Sequence, residues 1–126
     1  MAEASLLSGV DIVDRKSGTE AAKALVDLGP AVVITGLLEE RWAVDIVAYG
    51  DDLEALEHKH VDTPNVLGTG CSLSAAITAS LATGLPFDGS VYSAASFVLA
   101  GLESATTWRL GAGRGPIDHF ADPQPR

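Results

Sequence analysis

A glycine-rich segment that runs into a stretch of small residues constrains this chain more than any other feature. Residues 68–74 (GTGCSLS) continue directly into 75–82 (AAITASLA). Glycine permits turns with positive φ and lets a ligand approach the backbone closely. The first amides of a helix lack intrahelical partners and lie at the positive end of its dipole. The segment therefore predicts a turn, a helix over 72–84 and an anion site where the two meet.

Cys71 adds chemistry to this segment, because a cysteine at a helix start is favoured as the reactive thiolate. The segment is not a Walker A loop, since no lysine follows Gly70 at the required place. It is not a dinucleotide fingerprint either, since Leu73 occupies the position of the third glycine. Spacing alone leaves two interpretations open: an anion site with a candidate base, or a plain loop-to-helix turn with a small buried cysteine.

Length and charge restrict the classes of function. The chain has 126 residues, 47% of them hydrophobic, which suits one domain or part of one. Its formal net charge of −9 argues against nucleic acid and membrane surfaces as partners. Backbone amides would then have to attract any bound phosphate. The single cysteine and the lack of a signal-peptide pattern favour a reducing, cytoplasmic location.

Hydrophobic periodicity and turn residues predict alternating helices and strands. The apolar run over 31–34 is typical of a strand buried on both faces in a parallel sheet. His58 and His60 share one strand face, but no third metal ligand is near, which favours a solvated face. The remaining predicted elements are a helix over 3–8, a helix capped by Ser17 or Thr19, a hairpin of strands 42–49 and 53–61, a last helix capped by Asp88 or Ser90, and a flexible segment over 111–115.

Three segments together resemble the C-terminal half of hydroxymethylpyrimidine/phosphomethylpyrimidine kinase, an enzyme of thiamine biosynthesis in the ribokinase-like superfamily. Asp62-Thr63 and the block 68–77 match that family's Asp-Thr and Gly-Thr-Gly-Cys patterns, and 115–120 (GPIDHF) resembles its Gly-Pro-Val-x-His-Phe tail. The resemblance implies an α/β fold over residues 1–120, with a mostly parallel sheet, a hairpin and packed helices. A disordered tail over 121–126 would follow.

The resemblance also implies an activity, which is ATP-dependent phosphoryl transfer to hydroxymethylpyrimidine or its phosphate. The amides of Gly68, Thr69, Gly70 and Cys71 would form an anion hole for the transferring phosphoryl group. Cys71 would act as the base toward the substrate hydroxyl, and Mg²⁺ would bridge the phosphates of ATP.

Several positions depart from the family pattern. The nucleotide region of the family falls on Thr35 and Gly36, where Thr35 replaces a lysine, and Leu67 replaces the histidine before the anion loop. Glu3 matches a glutamate that helps to organise magnesium in the family. The asparagine of the same motif is absent, so a solvated terminal carboxylate is the preferred interpretation of Glu3.

The family enzyme is about twice as long as this chain, so we expect incomplete catalysis by the chain alone. Three alternatives stay open: a pyridoxal-type kinase, a non-catalytic nucleotide- or anion-binding fragment, and a nonfunctional remnant. A homodimer or a complementing N-terminal half are the expected protein partners. A truncated gene, a split gene and a fragment of a longer protein all stay open as explanations.

Overall fold

The computed structural model describes residues 1–29 and 31–123, and the chain divides into two units, Met1–His60 and Val61–Arg126. The first unit holds two helices and a sheet, and the second holds two helices and a short 3₁₀ turn. In chain order the elements are α1 (Ala2–Ser8), α2 (Arg15–Val26), β1 (Ala31–Glu39), β2 (Trp42–Tyr49), β3 (Asp52–Lys59), α3 (Thr69–Ala82), α4 (Phe87–Ser104) and the 3₁₀ turn (Ala105–Thr107).

Helix α2 starts earlier than its predicted caps. The cap is Asp14, whose carboxylate accepts a hydrogen bond from the Ser17 amide at 2.7 Å, while the Ser17 hydroxyl accepts one from the Asp14 amide at 3.0 Å. This reciprocal arrangement satisfies two otherwise orphaned donors. The prediction of Ser17 or Thr19 as the cap is therefore wrong, because Ser17 acts from the third helical position and Thr19 lies inside the helix.

The sheet of the first unit is antiparallel, with the strand order β1-β2-β3. Two-residue connections, 40–41 and 50–51, join its strands, and connections that short can link only antiparallel neighbours. The α/β class is confirmed, but the mostly parallel sheet is not found in the part of the chain that the structure describes. Within the described residues, Leu67 and Pro116 form an isolated parallel bridge.

Strand β1 extends beyond the predicted apolar run. It continues past Ile34 through a bulge at Thr35 and Gly36 and ends at Glu39. Gly36 has φ 91°, a backbone conformation that glycine adopts without strain. The predicted nucleotide region thus lies inside a strand rather than in a loop after it.

Helix α2 covers the sheet through small residues. Ala21 and Ala22 are completely buried, as are Val44 and Ile46 of β2. A Cβ atom on Gly18 would lie 2.9 Å from Leu37 Cδ1, so the helix backbone approaches the sheet closely. This packing forms the core of the first unit.

The predicted histidine face is only partly solvated. His58 Nε2 lies 3.3 Å from Asp45 Oδ2, and both side chains are largely buried, with 12% and 13% of their surface exposed. His60 lies beyond β3 and is exposed. The solvated-face interpretation therefore holds for His60 and is wrong for His58.

In the second unit, α3 and α4 pack against each other around Leu73, Ala94 and Val98. Helix α3 begins at Thr69, three residues before its predicted start, and α4 begins after Pro86. The predicted α4 caps, Asp88 and Ser90, lie inside its first turns. Neither provides a side-chain cap.

One further prediction concerns the tail over 121–126. Residues 121–123 have no regular secondary structure, and the rest of the predicted tail, 124–126, lies outside the described residues. Within the described ranges, every helix is too short or too polar to cross a membrane.

Candidate functional site

The start of α3 presents unpaired backbone donors. Gly68 precedes the helix with φ 86° and ψ 0°, a left-handed conformation suited to glycine. The first helical hydrogen bond runs from the Ser72 amide to the Gly68 carbonyl at 2.8 Å. The amide and the hydroxyl of Thr69 both donate to the Val66 carbonyl. Over residues 1–29 and 31–123, the amides of Gly70 and Cys71 have no acceptor.

The space beside Gly70 is open. Nothing lies within 4 Å of the point where a Cβ atom on Gly70 would sit, and the thiol of Cys71 is free and exposed. Two adjacent donors at the positive end of a helix suit an oxyanion. The residues present therefore fit the phosphoryl group that the sequence predicts here.

A groove of about 720 Å³ adjoins this helix start. One side of the groove is lined by Cys71, Ser72 and the small residues of α3, and another by Ser96 and Phe97 of α4. His119 completes it and belongs to the segment 115–120, which is called the tail from here on. Most of this lining is apolar, with a few hydroxyl groups, which is typical of small-molecule sites. The groove is large enough for a ligand well beyond a single phosphate.

The segment after α4 is fixed rather than flexible at its end. The Leu67 amide donates to the Gly115 carbonyl at 3.0 Å, and the Ile117 amide donates to the Leu67 carbonyl at 3.4 Å. Ile117 is 1% exposed, and any Cβ atom on Gly115 would collide with the buried side chain of Asn65. The prediction of flexibility through Gly115 is therefore wrong for Gly115 itself, which only glycine can occupy.

The same segment delivers His119 to the helix start. Its Nε2 lies 2.8 Å from the Ser72 hydroxyl, 47 positions earlier in the chain. Asp118, the residue before His119, is anchored to α4. Its amide donates to the Gly101 carbonyl at 3.1 Å, and its carboxylate accepts a hydrogen bond from the Ser104 hydroxyl at 2.7 Å. The Ser104 hydrogen bond, followed by one from the Phe120 amide, lowers the pKa of Asp118. In the sequence, the GPIDHF tail was the only signal for His119.

Two predicted site residues of the first unit share another groove. Glu3 and Thr35 both line an open cavity of about 520 Å³, together with apolar residues of α1, α2 and β1. The Glu3 side chain is 89% exposed. A hydrogen bond from its own backbone amide and, second, the amino terminus lower its pKa.

The side chains of the described ranges do not by themselves form a metal site. They contain no group of three or more His, Cys, Asp or Glu residues placed to hold an ion. Magnesium that accompanies a nucleotide takes most of its ligands from phosphate and water. The predicted Mg²⁺ is therefore compatible with this donor set only as part of a nucleotide complex.

Known proteins resemble the chain throughout most of its length. A sequence profile described as phosphomethylpyrimidine kinase matches residues 1–118. A hydroxymethylpyrimidine/phosphomethylpyrimidine kinase from Rhizobium meliloti (strain 1021) is 37% identical over 123 residues, covering 95% of this chain and 46% of the relative.

Solved structures show the same fold. An ADP complex of Bacillus subtilis pyridoxal kinase superposes with a TM-score of 0.87 and 40% identity, covering 95% of this chain and 47% of that chain. Staphylococcus aureus pyridoxal kinase, in complex with AMP-PCP and pyridoxal, gives a TM-score of 0.87 with 30% identity, covering 94% and 45%. The chain spans about half the length of the relatives it matches. By its match over residues 1–118, and in agreement with the predicted resemblance, the chain belongs to the phosphomethylpyrimidine kinase family.

Proposed function

We propose that this chain forms the nucleotide- and phosphate-binding part of a kinase that transfers a phosphoryl group from ATP to hydroxymethylpyrimidine or its phosphate. The observation that carries the proposal is the pair of unpaired amides on Gly70 and Cys71, beside an exposed thiol and a groove. Relatives of the same fold bind ADP or AMP-PCP, which supports ATP as the phosphoryl donor.

In this proposal each residue of the loop has a separate role. Gly68 turns the backbone, and the amides of Gly70 and Cys71 donate hydrogen bonds to the phosphoryl oxygens as charge develops on them. Cys71 acts as the base that accepts the proton of the substrate hydroxyl as that oxygen attacks the γ-phosphorus, and the bond from this phosphorus to the bridging oxygen breaks to release ADP. A magnesium ion bound with the nucleotide would neutralise phosphate charge. Thr69 acts indirectly, because its donors are already engaged with Val66.

The family resemblance adds three residues to the proposal. Thr35 and Gly36 are assigned to the nucleotide region, and Glu3 to the surroundings of magnesium, by family position. Thr35 cannot replace the positive charge of the lysine found there in the family. We therefore expect weaker nucleotide binding than in relatives that keep the lysine.

The acceptor pocket requires more than this chain, since the chain spans about half the length of its relatives. We propose that a second copy of the chain, or a polypeptide equivalent to the other half, completes it as a homodimer or a complemented enzyme. Cys71 is a free, exposed cysteine, which suits a cytoplasmic location, where thiols stay reduced.

The first prediction concerns Cys71. With Mg-ATP and hydroxymethylpyrimidine as substrates, we expect Cys71→Ala to lower turnover by about 10²- to 10⁴-fold, because the general base is lost. Nucleotide binding should persist, since the Cys71 amide remains. Turnover is measured by product formation, and binding by the rise in unfolding temperature with Mg-ATP.

Thr78→Ala serves as the matched control, because Thr78 is an exposed residue of the same helix that is not part of the groove lining. Equal turnover of Cys71→Ala and the unaltered chain would contradict the role of Cys71. A chain that Mg-ATP stabilises, but that phosphorylates no acceptor, would be a nucleotide-binding fragment. Neither stabilisation nor turnover would contradict the proposed function as a whole.

Pyridoxal phosphorylation is the second candidate function. The structural relatives described above are pyridoxal kinases, and one of them is 40% identical to this chain. Parallel assays with pyridoxal and with hydroxymethylpyrimidine discriminate between the two. The acceptor with the higher kcat/KM identifies which of the two phosphorylation activities the chain supports.

A further inference from the structure

The groove beside the start of α3 lacks the cations that usually bind phosphate. Its described lining consists of alanine, serine, one cysteine, one phenylalanine, one proline and His119, with no lysine or arginine. The whole chain carries a formal net charge of −9, which repels anions at long range. His119 is therefore the residue of this lining that can carry a positive charge.

The position of His119 is fixed from both sides. On one side the Ser72 hydroxyl meets Nε2 at 2.8 Å, and Ser72 is itself only 8% exposed. On the other side Asp118 is anchored to Gly101 and Ser104. The ring thus has a supported orientation, although its residue remains exposed to ligands.

The hydrogen bond to Ser72 also determines which nitrogen can serve a ligand. When the Ser72 hydroxyl donates to Nε2, the neutral ring carries its proton on Nδ1. When the ring is protonated, Nε2 donates to Ser72 instead, and Nδ1 still carries a proton. In these two arrangements Nδ1 is a hydrogen-bond donor, which suits a phosphate oxygen, whereas a neutral ring that donates from Nε2 to Ser72 leaves Nδ1 as an acceptor.

We propose that His119 is a phosphate-binding residue, which donates a hydrogen bond from Nδ1 to the phosphate chain of the nucleotide in this groove, while Ser72 holds the ring. The inference rests on the proposed function, because it assumes that the groove receives a nucleotide. It adds a side-chain contact to the amides of Gly70 and Cys71. It also gives the tail a role in ligand recognition.

The test compares a ligand with phosphates and one without. Affinities of the full chain for Mg-ATP and for adenosine are measured by calorimetry. We expect His119→Ala to weaken Mg-ATP binding by about tenfold or more, as for a hydrogen bond to a charged group. Adenosine binding should change by less than about twofold, because adenosine has no phosphate to lose. His60→Ala, an exposed histidine of the first unit, is the matched control.

A second measurement needs no variant, so it remains informative if His119→Ala unfolds. The chain has three histidines, whose imidazole signals can be followed by NMR. Mg-ATP should shift the His119 signal, and adenosine should shift it much less. The signals of His58 and His60 act as internal references.

The outcomes separate this inference from the proposed function. Mg-ATP binding that is unchanged in His119→Ala, or an equal loss for ATP and adenosine, would overturn the inference and leave the proposed function intact. A His119 signal that Mg-ATP does not move would do the same. If the unaltered chain binds no Mg-ATP, both the proposed function and the inference are overturned.

Discussion

At the scale of single residues, Asp118 shows how one side chain can fix a segment that has no regular structure. Its carboxylate accepts from the Ser104 hydroxyl at 2.7 Å and from the Phe120 amide at 2.9 Å. Both hydrogen bonds favour the ionised form and lower the pKa of Asp118 below its ordinary value of 3.8. The attachment of the tail should therefore depend on this ionisation.

The second prediction follows from that shift. A carboxyl whose pKa is lower in the folded state stabilises the fold above its unfolded pKa, and this contribution is lost as the pH falls through the folded value. We expect the unfolding temperature of the natural chain to exceed that of Asp118→Ala at neutral pH. The difference should shrink as the pH falls below 3.8.

Thermal unfolding followed by circular dichroism over this pH range measures the difference. Ser104→Ala is the control that removes the largest cause of the shift while keeping the carboxyl. Its pH dependence should lie between those of the natural chain and Asp118→Ala. A difference that stays constant with pH would contradict the assigned role of the carboxylate.

At the scale of elements, helix α4 and the tail meet where the helix has no side chain. A Cβ atom on Gly101 would lie 2.7 Å from the Asp118 carbonyl oxygen, which belongs to the backbone and cannot swing away. Gly101 itself is buried. Gly101 therefore allows the tail to pack closely against the helix, and it is not there to stabilise the helix itself.

The third prediction is that Gly101→Ala destabilises the chain and weakens Mg-ATP binding, although alanine raises helix propensity by about 1 kcal/mol. The new methyl group should displace Asp118, and with it His119. Chemical denaturation and calorimetry measure the two effects.

Gly89→Ala is the matched control, because it lies in the same helix and its Cβ atom would meet Pro86 Cγ at an ordinary 3.5 Å. We expect that substitution to leave both properties nearly unchanged. A Gly101→Ala variant that is as stable as Gly89→Ala, and binds Mg-ATP equally well, would contradict the proposed packing.

Local patterns in the sequence predicted most elements, and the errors arose where a local signal is atypical or where distant residues meet. The strand Trp42–Tyr49 is found with its predicted bounds. The antiparallel sheet depends on a two-residue turn at Glu40 and Arg41, which lacks the glycine or asparagine typical of such turns, and Glu40 has φ 54°.

In the candidate site, the sequence predicted the local feature but not the contact between distant residues. The loop 68–71 was predicted from its own residues, because glycine chemistry and helix polarity are local properties. The pairing of Ser72 with His119 spans 47 positions and depends on the bridge between Leu67 and Pro116. No local pattern encodes such a bridge, so the sequence indicated the tail only through family resemblance.

At the scale of the whole molecule, the first unit exposes unusually large apolar side chains. Leu6, Leu7 and Leu28 are 84%, 70% and 80% exposed. Strand β1 is an edge of the sheet formed by the described strands, and an edge strand can pair with another chain. These features favour association with another polypeptide.

The fourth prediction is that the chain self-associates as its concentration rises. Leu7→Glu should weaken this association by placing a charge in the apolar groove that Leu7 lines. Sedimentation velocity over a range of concentrations measures the effect.

Leu110→Glu is the matched control, because Leu110 is 58% exposed and belongs to the second unit. We expect it to associate like the natural chain. A natural chain that remains monomeric at every concentration would contradict the prediction, as would equal effects of both substitutions.

The return of the tail to the start of α3 also bears on how the protein is made. The ribosome synthesises Ser72 well before His119, since the two lie 47 positions apart, and folding during synthesis proceeds from the N-terminus. A nascent chain interrupted between them would carry the Gly-Thr-Gly-Cys loop without its histidine. If His119 binds phosphate, tight nucleotide retention begins only after translation passes Asp118, and the nucleotide then stabilises only those chains whose translation has gone that far.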